Sequence, residues 1–208
     1  MNEQEGVIKF NYKWEKKPLP SSLDIHELVS YRNKLYKHKL IGADKDGIGY
    51  GNISVMHKPA GTFIISASDT GSIKTASKYH FSLVHSVSAK KNFVSCSGMK
   101  PASSESMTHD IIYKLSPEIK CVIHVHSLKL WNKLLNKVPT TPKSILYGTP
   151  ELAYEVKRLW EKKDLKEKRI LVMGGHKEGL IVFGESIAAA YNLLMDYFQQ
   201  LSKVSLLQ

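Results

Sequence analysis

The segment Cys121-Val-Ile-His-Val-His126 limits what this chain can become more than any other. Its apolar residues favour β-structure, and a short run of this kind belongs to a buried strand. Side chains at i and i+2 of a strand share a face, so His124 and His126 point the same way. Two imidazoles side by side at the end of a buried strand are half of a divalent metal site. A third ligand and an acid or base would complete a reaction centre. The chain offers His176 downstream and Glu105 upstream for those parts.

Around this strand the pattern alternates between helical and strand-like stretches. Ser21 or Ser22 can cap a helix from Leu23 to about Leu40, with Ile25, Leu28, Val29, Leu35 and Tyr36 at helical spacing. Gly42, Gly47, Gly49 and Gly51 break up the next stretch. Strands are expected at Ile53–Met56 and Thr62–Ala67, and a hairpin at Phe81–Val87 and Phe93–Cys96 turning on Lys90-Lys91-Asn92. A short helix follows from Ser103-Ser104 to Tyr113, then the central strand Ile119–His126, then helix again over Ser127–Leu135. Gly148-Thr149-Pro150 starts another helix, with Thr149 as cap and Pro150 in the first turn. Ile170–Met173 and Leu180–Phe183 read as strands and Ile187–Phe198 as the last helix. Tight hairpins among the helices favour an α/β domain around a largely antiparallel sheet over a doubly wound one. Residues 1–20, polar and broken by Pro18 and Pro20, read as an N-terminal arm, and 21–208 as a single domain.

A chain of 208 residues is long enough for one compact domain with a substantial core. No apolar run approaches the roughly 18–20 residues of a membrane helix, and the polar N-terminus lacks the regions of a signal peptide. Cys96 and Cys121 sit in strand-like runs and read as small buried residues of a reducing compartment. A cytoplasmic domain is expected. The net charge of +11 comes from lysines spread along the chain, without a basic stripe interleaved with aromatics. It reads as a solvated lysine-rich surface that also suits an anionic substrate; nucleic acid is not the expected partner.

Gly174-Gly175-His176-Lys177-Glu178-Gly179 places a histidine at the mouth of a strand-turn-strand, where glycines admit close approach of the backbone. Three neutral imidazoles leave an open coordination position, the arrangement of catalytic rather than structural zinc. Glu105 can fill that position at rest and leave it to act as acid or base. His109, four residues later, is either its orienting partner or a helix-surface neighbour. Pro101-Ala-Ser103-Ser104-Glu105 offers hydroxyls and amides at a helix N-terminus, which suits a phosphate or, equally, a double N-cap. Gly51-Asn52-Ile-Ser54 and Ser66-Ala-Ser68-Asp-Thr70-Gly71-Ser72 are two further loops able to present amides to an anion.

The order of these pieces resembles the class II aldolase/adducin family: Gly-Asn-Ile-Ser, a Thr-Gly turn, Ser-Ser-Glu, His-x-His, Gly-Thr-x-Glu-Leu-Ala, and a late His before Gly-Leu-Ile. The resemblance runs from about Tyr31 to Phe198. It implies a three-layer α/β/α sandwich with a mostly antiparallel central sheet, assembled as a homotetramer with active sites between subunits. His124, His126 and His176 match the zinc ligands, with Mn²⁺ or Fe²⁺ as other metals the set accepts, and Glu105 matches the catalytic acid/base. Asn52, Thr70, Gly71, Ser103 and Ser104 match the phosphate-binding loops. The implied activity is retro-aldol cleavage of a small phosphorylated ketose through a zinc-stabilised enediolate. A 4-epimerase or dehydratase on the same fold, or a non-catalytic adducin-like scaffold, are the alternatives. Two departures stand out. Lys177 and Glu178 separate the late histidine from Gly179, and only 21 residues lie between His126 and Gly148, with Tyr147 nearby.

Overall fold

The computed structural model describes residues 8, 10–59, 61–147, 149–162 and 164–204. Gly148, expected to open a helix, lies outside the described residues, as do 1–7, 9, 60, 163 and 205–208. The first half holds strand β1 (Asn11–Lys16), helix α1 (His26–Lys37), and the short strands β2 (Gly42–Ala43) and β3 (Gly49–Tyr50). Strands β4 (Asn52–His57), β5 (Thr62–Ser66), β6 (Phe81–Ser88) and β7 (Phe93–Gly98) follow. Next come α2 (Ser106–Leu115), β8 (Cys121–His126), α3 (Leu128–Leu134), α4 (Pro150–Lys162) and α5 (Leu165–Lys168). The strands β9 (Ile170–Val172) and β10 (Gly179–Gly184) and the helix α6 (Ile187–Val204) complete the order.

Eight strands form one sheet in the order β1-β7-β6-β5-β4-β8-β10-β9, and β2 pairs with β3 apart from it. Every pairing in the large sheet is antiparallel except that of β1 with β7. The largely antiparallel α/β reading therefore holds. All six residues of β8 are buried, because strands flank it and both of its faces are covered.

Two apolar cores lie on opposite faces of the sheet. Ile123 and Val125 of β8, Ile53 of β4 and Leu180 and Val182 of β10 meet α1 (Leu28, Leu35), α3 (Leu130, Leu134) and α6 (Ala190, Leu194). Val122, Ile181, Phe183 and Phe63 face the other way, toward α2 (Met107, Ile112) and α4 (Leu152, Val156, Leu159). Each Val, Leu, Ile, Phe or Met side chain among them contributes about 1.5–3 kcal/mol when fully removed from water. His124 and His126 are in phase with Val122, so they share the face covered by α2 and α4.

Three local features depart from the sequence reading. Within the expected N-terminal arm, residues 11–16 pair as β1 alongside β7, and Trp14 Nε1 donates to Gly98 O at 2.9 Å. Helix α1 starts at His26 rather than near Leu23, because the preceding carbonyls are engaged elsewhere. Lys78 Nζ donates to Leu23 O, the carbonyl of that first turn, as well as to Pro20 O and Ser21 O, and the Asp24 carboxylate accepts from His26 N–H at 2.9 Å. The glycine-rich stretch after α1 is the β2–β3 hairpin, whose turn is held by the Asp44 carboxylate accepting from the amides of Asp46 and Ile48, each at 2.9 Å. By contrast α4 starts as read: Thr149 Oγ1 accepts from Leu152 N–H at 3.3 Å and Leu152, Val156 and Leu159 are buried.

Candidate metal centre

Register places His124 between Asn52 of β4 and Ile181 of β10, and His126 opposite Gly179. His124 Nδ1 donates to Leu180 O at 3.1 Å, which fixes the ring and leaves the lone pair at Nε2. Nε2 of His126 lies 3.2 Å from Nε2 of His124 and 2.9 Å from Nε2 of His176. Nitrogens bound tetrahedrally to zinc at 2.0–2.1 Å stand about 3.3 Å apart, close to these two separations, and the three ligand atoms all lie within 4.8 Å of one another. Burial, followed by the neighbouring imidazoles of His126 and His176, holds the His124 pKa well below its ordinary value. That keeps it in the neutral form a metal requires. The donor set fits a divalent ion, and the other histidines of the described residues stand outside this cluster.

His176 reaches the group through a tight turn between β9 and β10. Its N–H donates to Met173 O and its carbonyl accepts from Gly179 N–H at 2.9 Å. The two residues inserted before Gly179 are absorbed in this turn, with Glu178 at φ 74°. Gly179 must be glycine: a Cβ there would stand 2.4 Å from His176 Cδ2. Gly174 and Gly175 admit close approach as expected, though to backbone rather than ligand: Cβ atoms would meet Thr141 O and Ile145 O at 2.1 and 2.0 Å.

Two tyrosines wall the imidazoles. Tyr50 stacks on His126 with ring centroids 5.1 Å apart, and Tyr147 lies 4.4 Å from His176. Tyr50 was not among the sequence candidates; its signal is the Gly-Tyr-Gly that precedes Asn52, where an aromatic sits between glycines that cannot cover anything themselves.

Glu105 is 2% exposed and immediately precedes α2, yet its side chain makes no capping bond. Ser103 Oγ accepts from Glu105 N–H at 3.2 Å instead. Glu105 lines the same pocket as His124, His176 and Tyr147. Asn52, Thr70, Gly71, Ser103 and Ser104 line that pocket as well, so the three loops picked from sequence converge on the histidines. Gly71 packs where a Cβ would stand 2.1 Å from Gly42 O, which draws its loop against the β2–β3 hairpin. The Thr70 hydroxyl donates to Ala67 O at 2.7 Å, so its proton is committed within the loop.

His109 is fully buried rather than on a helix surface. Its Nδ1 lies 2.6 Å from Ser54 Oγ, which lies 2.6 Å from Tyr113 Oη. Burial pushes the His109 pKa down to about 3 and raises that of Tyr113. This neutral chain ties α2, and with it the segment carrying Glu105, to β4.

The family described as Class II Aldolase and Adducin N-terminal domain matches residues 27–206. No curated protein matches the chain. Among solved structures, an L-fuculose 1-phosphate aldolase is 20% identical with a TM-score of 0.64, covering 91% of this chain and 87% of that one. A sugar-phosphate aldolase from Thermotoga maritima is 21% identical with a TM-score of 0.63, over 87% of this chain and 94% of its own. YgbL of Escherichia coli, a putative aldolase/epimerase/decarboxylase, is 18% identical at a TM-score of 0.64, over 88% of each chain. At these identities the likeness is one of fold.

Proposed function

The chain belongs to the class II aldolase and adducin family, and from that premise we propose that it is a metal-dependent lyase acting on a small phosphorylated ketose. The observation that carries this reading is the cluster of three buried imidazoles, two of which, His124 and His176, line one pocket with the buried carboxylate of Glu105. A non-catalytic scaffold has no need of that set. His124, His126 and His176 would hold the ion, with zinc the expected metal and Mn²⁺ or Fe²⁺ compatible with the donors. When bound, the ion supplies Lewis-acid polarisation of a substrate carbonyl and its neighbouring hydroxyl.

The chain's own residues do the rest. The amides and hydroxyls around Asn52, Thr70, Gly71, Ser103 and Ser104 bind the phosphate and thereby fix where the reacting carbons lie. Tyr50 and Tyr147 keep bulk water off two of the imidazoles. In the cleavage direction the hydroxyl beside the scissile bond gives its proton to Glu105 as the carbon–carbon bond breaks and the aldehyde leaves, and Glu105 returns that proton to the carbon left behind. The accompanying fold reading is a three-layer α/β/α sandwich, supported by the two cores on opposite sheet faces. The accompanying assembly is a cytoplasmic homotetramer, in keeping with the family and with two free, buried cysteines.

A screen of phosphorylated ketoses with metal-loaded and chelated protein in parallel tests the activity. Metal-dependent aldehyde release is the expected result. Inversion of a hydroxyl-bearing carbon or loss of water without aldehyde would replace the lyase by an epimerase or a dehydratase. Protein that neither carries nor accepts a transition metal would remove the enzymatic reading altogether.

A further inference from the structure

Helix α1 carries a buried cation that the reading above leaves unused. Arg32 is 1% exposed, and among the described residues no carboxylate lies within ion-pairing distance of it. A buried arginine ordinarily faces an acid, since a charge out of water needs compensation. Here the guanidinium donates to main-chain carbonyls instead. Nη2 reaches Thr70 O at 2.7 Å and Gly71 O at 3.1 Å, and Nη1 donates to Ile73 O. The next residue continues the clamp: Asn33 Oδ1 accepts from Ala76 N–H at 2.9 Å. Two consecutive residues of α1 thus hold the segment from Thr70 to Ala76.

This geometry orients the loop's other face. In a trans peptide the C=O of one residue and the N–H of the next point in opposite directions. With the carbonyls of Thr70 and Gly71 drawn to Arg32, the amides of Gly71 and Ser72 are turned away from it. Thr70 and Gly71 line the metal pocket, and the Thr70 hydroxyl is bonded to Ala67 O. The loop therefore presents amides on one side and has a fixed positive charge on the other, with no acid to neutralise it.

Resting on the reading of a phosphorylated substrate, we infer that Arg32 is the positioning residue of the anion-binding loop: it aims the Gly71 amide at the phosphate, which serves as the guanidinium's missing counter-charge through the loop. Arg32 does not touch the phosphate. It makes the site selective for a phosphate ester over the free alcohol. Burial lowers its pKa only to about 10, so the charge is present at neutral pH.

The test uses zinc-loaded protein and two hydroxamates, glycolohydroxamate and its phosphate ester, with binding measured by calorimetry. Wild type should prefer the ester. Arg32→Met should weaken the ester by roughly tenfold or more, while the unphosphorylated hydroxamate and the metal content stay as in wild type. Arg32→Lys keeps the charge without the forked donors, and should lose only part of the preference. Should Arg32→Met fail to fold, the lysine variant decides: a loss confined to the ester supports the inference, and no selective loss overturns it. Equal weakening of both ligands marks a structural role and overturns it too. A wild type that binds both hydroxamates alike overturns the phosphate reading itself and this inference with it. A preference that survives Arg32→Met overturns the inference alone.

Discussion

Glu105 sits ahead of α2 without capping it, so its burial is not explained by helix stability. Glu105→Gln preserves size and hydrogen bonding but not proton transfer. Bound zinc, measured by metal analysis, should stay, while turnover of an identified substrate should fall by roughly 10²–10⁴-fold. His109 makes a separate prediction. Its folded pKa of about 3 lies below the ordinary 6.5, so between those values the unfolded chain binds the extra proton. Stability therefore falls as pH drops from about 6.5 toward 3, by up to about 1.4 kcal/mol per pH unit from this group, and is unaffected by it above that window. Urea melts of metal-free protein from pH 4 to 7 should show a shallower slope for His109→Gln, and equal slopes would refute the assignment. The histidine triad and Glu105 were legible in the sequence because alternation in a strand and order along the chain encode them. Arg32 and Tyr50 were not. Their roles depend on contacts with the Thr70–Ile73 carbonyls and with the His126 ring, which lie on distant segments that no local pattern connects.

At the scale of elements, the turn between β9 and β10 is the most constrained part of the centre. His176 can reach its partners only because Gly179 leaves room for the ring. Gly179→Ala should displace the imidazole and lower metal affinity by roughly 10–100-fold, with the far-ultraviolet spectrum unchanged; competition with a chromophoric chelator would measure it. From β4 to α6 the strands and helices with their own periodicity are readable to within a few residues at most ends, whereas the four-residue α5 carries no pattern of its own. The start of α1 is not legible locally because Lys78, far along the chain, takes Leu23 O, a carbonyl that a helix beginning at Leu23 would use. β1 escaped notice because its six residues are mostly exposed and carry no alternation of apolar side chains. Its place is set by β7.

For the whole molecule, the pocket draws on segments from Gly49 to His176, so an ion that binds it reads the completed sheet. Anything that binds only the folded chain stabilises it by mass action, by about 2.7 kcal/mol at a free concentration a hundred times its Kd. Zinc should therefore raise Tm in a concentration-dependent way, and His124→Ala with His126→Ala should abolish the shift. Light scattering should give a mass close to four times the 23.5 kDa of one chain, and a mass equal to one chain would contradict the proposed tetramer.

The strand order also bears on how copies of this chain can meet without aggregating. An open ladder of unpaired amides invites another strand, and both borders of the large sheet are poor templates for one. On one side β1 alternates exposed Lys13, Glu15 and Lys16 around a half-buried Trp14. On the other, β9 is only three residues long, and Thr140 already bridges to Val172. Continuation of the sheet from molecule to molecule is thereby disfavoured at each end, and association is left to side-chain surfaces, where it can stop at a closed number of subunits.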